Sequence, residues 1–275
     1  MNKPYDVIVV GARCAGSPTA MLLARKGYRV LVVDRATFPS DTVSTHVLHP
    51  LGVAALAKWG LLERLAATGC PPIGTFGFAA APTHDGLTLT VGGWPYPEFA
   101  ANKADVEGNF MKMFDLVPEF ADRVRTATRV APFAGTPVPG FFRKPFGPGW
   151  ALVGDAGYNK DPITAQGIND AFRDAERCVV ALHQALSGGR PFDEAMSEYQ
   201  RDRDHHVLPM YEMTCQLATL EPPPPEVQQL FAAIPGNQQA MDGFAQMNAG
   251  TISPAQFFSP ENVGAIKAAA RADYT

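Results

Sequence analysis

The first 34 residues confine the chain to a parallel α/β beginning. Residues 5–10 form a short, nearly unbroken apolar run rich in Val and Ile, the composition of a strand buried inside a parallel sheet. Residues 11–16 read as a turn. Ser17 and Pro18 suit a helix start, and Ala20, Met21, Leu23 and Ala24 carry the helix on. Gly27 stops it, and residues 28–33 read as a second buried strand ending at Asp34. Parallel neighbours require a crossover, and about 30 residues is the size of one βαβ unit. Lys3 ahead of this apolar stretch resembles a signal peptide, but Asp6 and the break at Gly11-Ala12-Arg13 interrupt it. The N-terminus is therefore expected to belong to the fold, in a cytoplasmic protein.

Downstream, the pattern predicts helices over 50–59, 61–67, 105–114 and 117–126, and a half-buried strand over 87–91. Residues 132–148 are dense in Pro, Gly and Phe and read as irregular. Residues 150–153 read as a third buried strand, and 169–186 as a long helix. Residues 192–217 read as a charged helix broken or kinked at Pro209. Residues 222–225 read as a polyproline spacer, with short helices after it. At 275 residues the chain allows one large domain or two modest ones. Its 46% hydrophobic and 18% charged residues describe a globular core. A net charge of −4 provides no basic field for nucleic acid. No apolar run approaches the ~18 residues of a membrane span. Cys14, Cys70, Cys178 and Cys215 lie far apart without a C-x-x-C pair, which argues against a metal site or a disulfide framework.

Two turns carry candidate chemistry. A dinucleotide-binding turn wants Gly at its first, third and sixth positions, and residues 11–16 place Gly11 and Gly16 correctly but Arg13 third. Arg13 must then turn outward, where it can pair with a phosphate or face a flavin edge. Ala15 and Arg35 flank the same site. Asp34 lies 18 residues after Gly16, close to the ~20 expected of a ribose-binding carboxylate. An ordinary βαβ turn with Asp34 as a cap is the plain alternative, and a nicotinamide-dependent Rossmann dehydrogenase is another. The second constellation runs from Gly154-Asp155-Ala156 through Pro162 to Gly167-Ile168-Asn169, then Asp170 and the Asp174-Ala175 pair.

That stretch resembles the FAD-dependent oxidoreductases of the para-hydroxybenzoate hydroxylase and geranylgeranyl reductase type. Their pattern is a Gly-Asp turn after a late strand, a proline, and a Gly-x-Asn opening a helix. The resemblance implies a Rossmann-like FAD-binding domain with a parallel sheet. It implies that Asp155 bonds the ribityl chain of FAD and that the backbone around Gly167, Ile168 and Asn169 faces the pyrimidine end of the ring. A helix N-terminus suits the negative charge of reduced flavin there. Pro162 would lie near the reacting face. The resemblance extends to residues 45–61, where His46 and His49 are candidates to touch flavin or substrate, His46 being the weak catalytic candidate. His205 and His206 sit among Arg201, Asp202, Arg203 and Asp204, which reads as a solvated charged face.

Such proteins also carry a third motif, a strand ending in Gly-Ala-Asp-Gly, and it is absent here. Asp85-Gly86 and Asp242-Gly243 lack the preceding apolar strand. Only 121 positions separate Asp34 from Asp155, fewer than the resemblance calls for. This points to an internal deletion near Gly74 to Gly77. The expected organisation is an N-terminal FAD-binding portion over 1–76, a reduced substrate-domain remnant over 77–145, a second FAD-binding portion over 146–190 and a helical region over 191–275. The implied activity is oxidation or reduction of a small apolar, aromatic or isoprenoid-like substrate, with NAD(P)H as reductant. A non-catalytic FAD-binding or scaffold remnant is the rival that the missing sheet favours.

Overall fold

The computed structural model describes residues 4–40, 44, 46–70, 80–83 and 85–272. The expected deletion point at 74–77 lies outside the described residues. Strand β1 (Val7–Val10) pairs in parallel with β2 (Val30–Val33), with Val7 opposite Val30 and Val10 opposite Val33. Helix α1 (Gly16–Arg25) joins them, and Gly27 at φ +91° turns the chain back after it. Strand β2 begins later than the pattern predicts, because the Tyr28 N–H still donates to the Leu23 carbonyl of α1 at 3.3 Å, while the Tyr28 hydroxyl reaches His183 Nδ1 at 2.8 Å.

Helices α2 (Pro50–Lys58) and α3 (Leu62–Ala66) follow, then the hairpin of β3 (Ala80–Pro82) and β4 (Thr88–Thr90). Next come α4 (Phe99–Lys103), α5 (Val106–Met113) and α6 (Pro118–Thr126). Asp105 caps α5 by accepting the Gly108 N–H at 2.9 Å, and Pro118 opens α6 at a position where no amide proton is needed. Phe110, Phe114, Phe120 and Phe133 meet at ring separations of 5.0 to 5.3 Å and give this stretch a small aromatic centre of its own. None of β3, β4, α4, α5 or α6 shares an extended contact with α1 or α2.

The remaining elements are β5 (Phe141–Phe142), β6 (Phe146–Gly147), β7 (Trp150–Ala151), β8 (Tyr158–Asn159), α7 (Gly167–Leu186), α8 (Phe192–Leu217), α9 (Pro225–Ala232), α10 (Gln238–Ala249), α11 (Pro254–Phe257) and α12 (Pro260–Ala272). Helix α7 is central. It packs on α1, α2 and α8, and its buried Cys178 and Ala181 join Phe146, Ala195, Met196 and Tyr199 in one core cluster. A second cluster of Leu230, Ile234, Met247, Phe257 and Ile266 holds α9 to α12 together. Among the described residues no helix is long and apolar enough to cross a membrane.

Several expectations need correction. Residues 150–153 do not add a third parallel strand: β7 pairs antiparallel with β6, Phe146 opposite Ala151, and Trp150 is 48% exposed. The cause is local, since Pro148 and Gly149 at φ +76° are the middle residues of a tight turn between Gly147 and Trp150. The parallel sheet therefore has two strands among the described residues, and β1 is not buried on both faces, with Ile8 61% and Val10 82% exposed. Residues 132–148 are not wholly irregular, because β5 and β6 lie within them. Helix α8 is not broken at Pro209. Proline costs one amide bond there, while Val207, Met210 and Thr214 remain buried around it and the helix runs on to Leu217. Of residues 222–225, Pro225 opens α9 instead of belonging to a spacer.

This asymmetry has a measurable consequence. Leu23→Ala, at a fully buried position of α1, is expected to cost about 2–5 kcal/mol. Val10→Lys on the exposed face of β1 is expected to stay within about 0.5 kcal/mol of the unsubstituted protein. Urea denaturation midpoints of the two variants check the pair; equal losses would mean that β1 is covered after all.

Candidate functional site

The two glycine turns meet. Gly154, at φ +55°, is buried so tightly that an added Cβ would stand 2.9 Å from Ala15 Cβ and 3.3 Å from Ala171 Cβ. Ala15 precedes the first residue of α1, and Ala171 belongs to the second turn of α7, so the close approach joins both segments. Within the first turn, a Cβ on Gly16 would run into the Gly11 carbonyl oxygen. Gly11 itself, at φ +99°, has open space around it. The turn is thus crowded inward and open outward, as a backbone approached by a ligand must be.

Asp34 sits at the end of β2 beside this turn. Its Oδ2 accepts the Ala12 N–H at 2.7 Å and its Oδ1 accepts the Ala36 N–H at 2.7 Å. These amides, Ala36 first, hold its carboxyl below the usual range. Arg13 turns outward, donating from Nη2 to Ser40 Oγ at 2.9 Å with its guanidinium over the Phe38 ring. Arg35 is exposed next to Asp34.

The second turn is built by α7. Asp174, fully buried, accepts the Gly154 N–H through Oδ2 at 3.2 Å, and Oδ1 has no hydrogen-bond partner among the described residues. Burial, partly offset by Arg173, pushes Asp174 up to about 7. Asp155 projects from the 3-10 turn Gly154–Ala156, and surrounding protein followed by the Asp170 carboxylate raises its pKa, with Lys160 opposing. Asp161 caps the next 3-10 turn, Pro162–Thr164, by accepting the Ile163 N–H at 2.9 Å, and Pro162 stays exposed. Ala165 adopts φ +51°, a conformation disfavoured for alanine, and Gln166 anchors the turn by donating to the Asn248 carbonyl of α10.

Gly167 then opens α7 with nothing within 4 Å of an added Cβ. The first-turn amides of residues 167–169 have no partner within the helix. Ile168 packs beside Leu56, Trp59 and Phe172, whereas Asn169 buries a side-chain amide with neither polar atom hydrogen-bonded among the described residues. Gly52 of α2 is required here, because a Cβ would strike Asn169 Oδ1.

The arrangement brings together what an elongated anion bearing a polar ring needs: the Gly154 turn meets Ala15 at the N-terminus of α1, Gly11 and Gly167 are open, and Asn169 at the N-terminus of α7 buries a side-chain amide with no partner among the described residues. His46 lies in the exposed loop ahead of α2, its N–H donating to Ser44 Oγ at 3.1 Å. His49 is instead the residue brought to the second turn. Burial lowers its pKa, while the Thr164 backbone and Asp170 act the other way. Arg203 overturns the reading of 201–206 as wholly solvated: it is buried, with Nη2 donating to the Arg143 carbonyl at 2.9 Å and its guanidinium over the Phe142 ring. Helical spacing alone does not show that one charged residue of that run faces β5. Lys160 and Gly52 were not singled out for the site, since their roles come from contacts that a separate loop and α2 make with α7.

The raised pKa of Asp174 has a pH signature. Its folded value near 7 exceeds the ordinary 3.8, so its contribution to stability is full below about pH 4 and is lost as pH rises through 7. Asp174→Asn keeps an acceptor for Gly154 without the titration. The variant is expected to lose less stability than the unsubstituted protein between pH 5 and pH 8. Urea midpoints at the two pH values measure this, and identical losses would contradict it.

Residues 4–119 match the family described as FAD binding domain. The chain is 36% identical over 112 residues to the menaquinone reductase of Mycolicibacterium smegmatis, covering 38% of this chain and 24% of that protein. It is 41% identical over 61 residues to the squalene monooxygenase of Eremothecium gossypii, covering 22% and 12%. The chain thus matches no more than about a quarter of the length of either relative. Among solved structures it is similar to Pseudomonas aeruginosa PqsL in complex with 2-aminobenzoylacetate, at a TM-score of 0.60 and 17% identity, covering 78% of this chain and 96% of that one. That likeness is one of fold.

Proposed function

We propose that the chain is an FAD-dependent oxidoreductase, as the match of residues 4–119 to the FAD binding domain family and the partial matches to menaquinone reductase and squalene monooxygenase support, and that it holds FAD across its two glycine turns and transfers electrons between NAD(P)H and a small apolar or aromatic substrate. The observation that carries this reading is the seating of Gly154 against Ala15, which puts the Asp155 turn beside the N-terminus of α1. In this reading Asp34 takes the adenosine ribose and Gly11 to Gly16, with Arg13 and Ala15, lie along the pyrophosphate. Asp155 takes the ribityl chain, and Gly167, Ile168 and Asn169 face the pyrimidine edge. Bound flavin supplies the two-electron chemistry. The protein's own part is to orient it and to hold positive potential at the α7 N-terminus. Residues 1–76 and 146–190 would form the two FAD-binding portions around a substrate unit over 77–145, with 191–275 supporting the ring-side turn. Relatives named for menaquinone and squalene, both apolar, and the aromatic ligand of PqsL support the substrate class.

One mutation separates this reading from a ligand-free turn. A Cβ on residue 167 would meet nothing within 4 Å, so Gly167→Val is expected to keep its unfolding free energy within about 0.5 kcal/mol of the unsubstituted protein. FAD binding is nevertheless expected to fall at least tenfold, because the side chain occupies the space for the ring. Asp34→Ala is expected to weaken FAD without changing affinity for FMN, which lacks the adenosine. Titration of flavin fluorescence reads both; normal FAD binding by Gly167→Val would place the ring elsewhere.

The two-stranded sheet and the separate packing of β3 to α6 favour a site that holds flavin better than it couples turnover. Coupled oxygenation needs a dry cavity. NAD(P)H oxidation is therefore expected to be slow and to release hydrogen peroxide, with little dependence on aromatic or isoprenoid compounds. Parallel assays of NAD(P)H consumption and peroxide across such a panel test it. One product per NAD(P)H with little peroxide would mean that the site closes.

A further inference from the structure

Lys160 lies in the connection between β8 and α7, two residues before Pro162, and its side chain is only 6% exposed. Its Nζ stands 2.6 Å from Asp170 Oδ2. The other oxygen of Asp170 accepts from Arg173 Nη2 at 2.5 Å, and the Asp170 side chain is 7% exposed. Asp170 is the fourth residue of α7. A carboxylate there interacts well with the helix dipole, but it also cancels the positive potential that the helix N-terminus presents outward. Two cations on the one carboxylate leave the trio a unit positive. Asp155 in the neighbouring turn and His49 at the start of α2 lie within electrostatic reach of the Lys160–Asp170 pair, and Asp174 within reach of both Asp170 and Arg173.

We propose that Lys160 is a positioning residue for charge: as the second cation on Asp170, beside Arg173, it keeps the α7 N-terminus positive toward bound flavin and so raises the flavin's reduction potential. This inference rests on the flavin reading above. A buried pair that merely stapled the Pro162 turn to α7 would behave differently. Loss of either partner would then disturb the site in the same sense. A charge role makes the two losses opposite in sign, because one removes a positive charge and the other a negative one.

The test is the midpoint potential of the FAD-loaded full chain, read by anaerobic reduction against a reference dye, for Lys160→Met, Asp170→Asn and the double variant. Lys160→Met is expected to lower the potential and Asp170→Asn to raise it. Each change should be about tenfold in the two-electron reduction equilibrium, about 30 mV. The double variant restores the net charge and is expected to return close to the unsubstituted protein. If Lys160→Met does not fold, the double variant measured against Asp170→Asn carries the same comparison, and its potential should be the lower. Equal potentials across the series, or single variants shifting in one direction, would overturn the inference while leaving FAD binding intact. Failure of the unsubstituted chain to quench FAD fluorescence would overturn the flavin reading, and this inference with it.

Discussion

Helix α7 holds both glycine turns in place. Its Asp174 carboxylate takes the Gly154 amide in a fully buried hydrogen bond, and its Ala171 methyl fills the space that a side chain on residue 154 would need. The same helix presents Asp170 to Lys160 and its opening amides to the region beyond Gly167. Because α1 and α2 pack on α7 as well, the first turn and the Gly52 surface are located relative to one rigid cylinder. A buried, half-satisfied carboxylate is costly. Asp174 stands at the point where the chain leaves β7 and turns at Gly154 toward the site.

Support for α7 comes from its far side. Helix α8 lies along it, with Ala195, Met196 and Tyr199 buried in the shared cluster, and the Tyr199 hydroxyl donates to the Leu152 carbonyl at 2.8 Å just before the Gly154 turn. Farther along α8, Thr214 meets Thr164 at 3.1 Å, and α10 accepts Gln166. The region after residue 191, which carries none of the expected site residues, thereby braces the turn in which Ala165 adopts a disfavoured conformation. The middle stretch is different in kind. Its aromatic rings pack on one another, and the outward residues Ile8, Val10, Val32 and Val33 of β1 and β2 are exposed.

Local chemistry made much of this legible from residues alone. Alternating strand, glycine turn and amphipathic helix specify a βαβ crossover because the backbone has few other ways to satisfy itself over that length. Asp105, Pro118 and Gly27 act within one turn of their own positions, and helix ends were placed to within a residue or two there. The pattern from Gly154 to Ala175 likewise reads directly, since it is one continuous turn-and-helix segment.

What only the tertiary structure decided are the relations between segments distant in the chain. An apolar run such as residues 7–10 states that a strand can be buried, but not whether another element arrives to bury it; here Val10 stays in solvent. Residues 150–153 have the composition of a core strand, yet the Pro148-Gly149 turn folds them back on β6. Arg203 sits in a run of charges and is buried because β5 approaches that one face of α8. The sequence puts His46 forward ahead of His49, whereas it is His49 whose surroundings include the Thr164 backbone and Asp170. Composition and spacing report what a residue tolerates, whereas its neighbours in space set its charge state and its role. The turn motifs were therefore readable in the sequence, while the Lys160–Asp170–Arg173 trio behind them, whose lysine reaches the carboxylate from a separate loop, took its meaning from the fold.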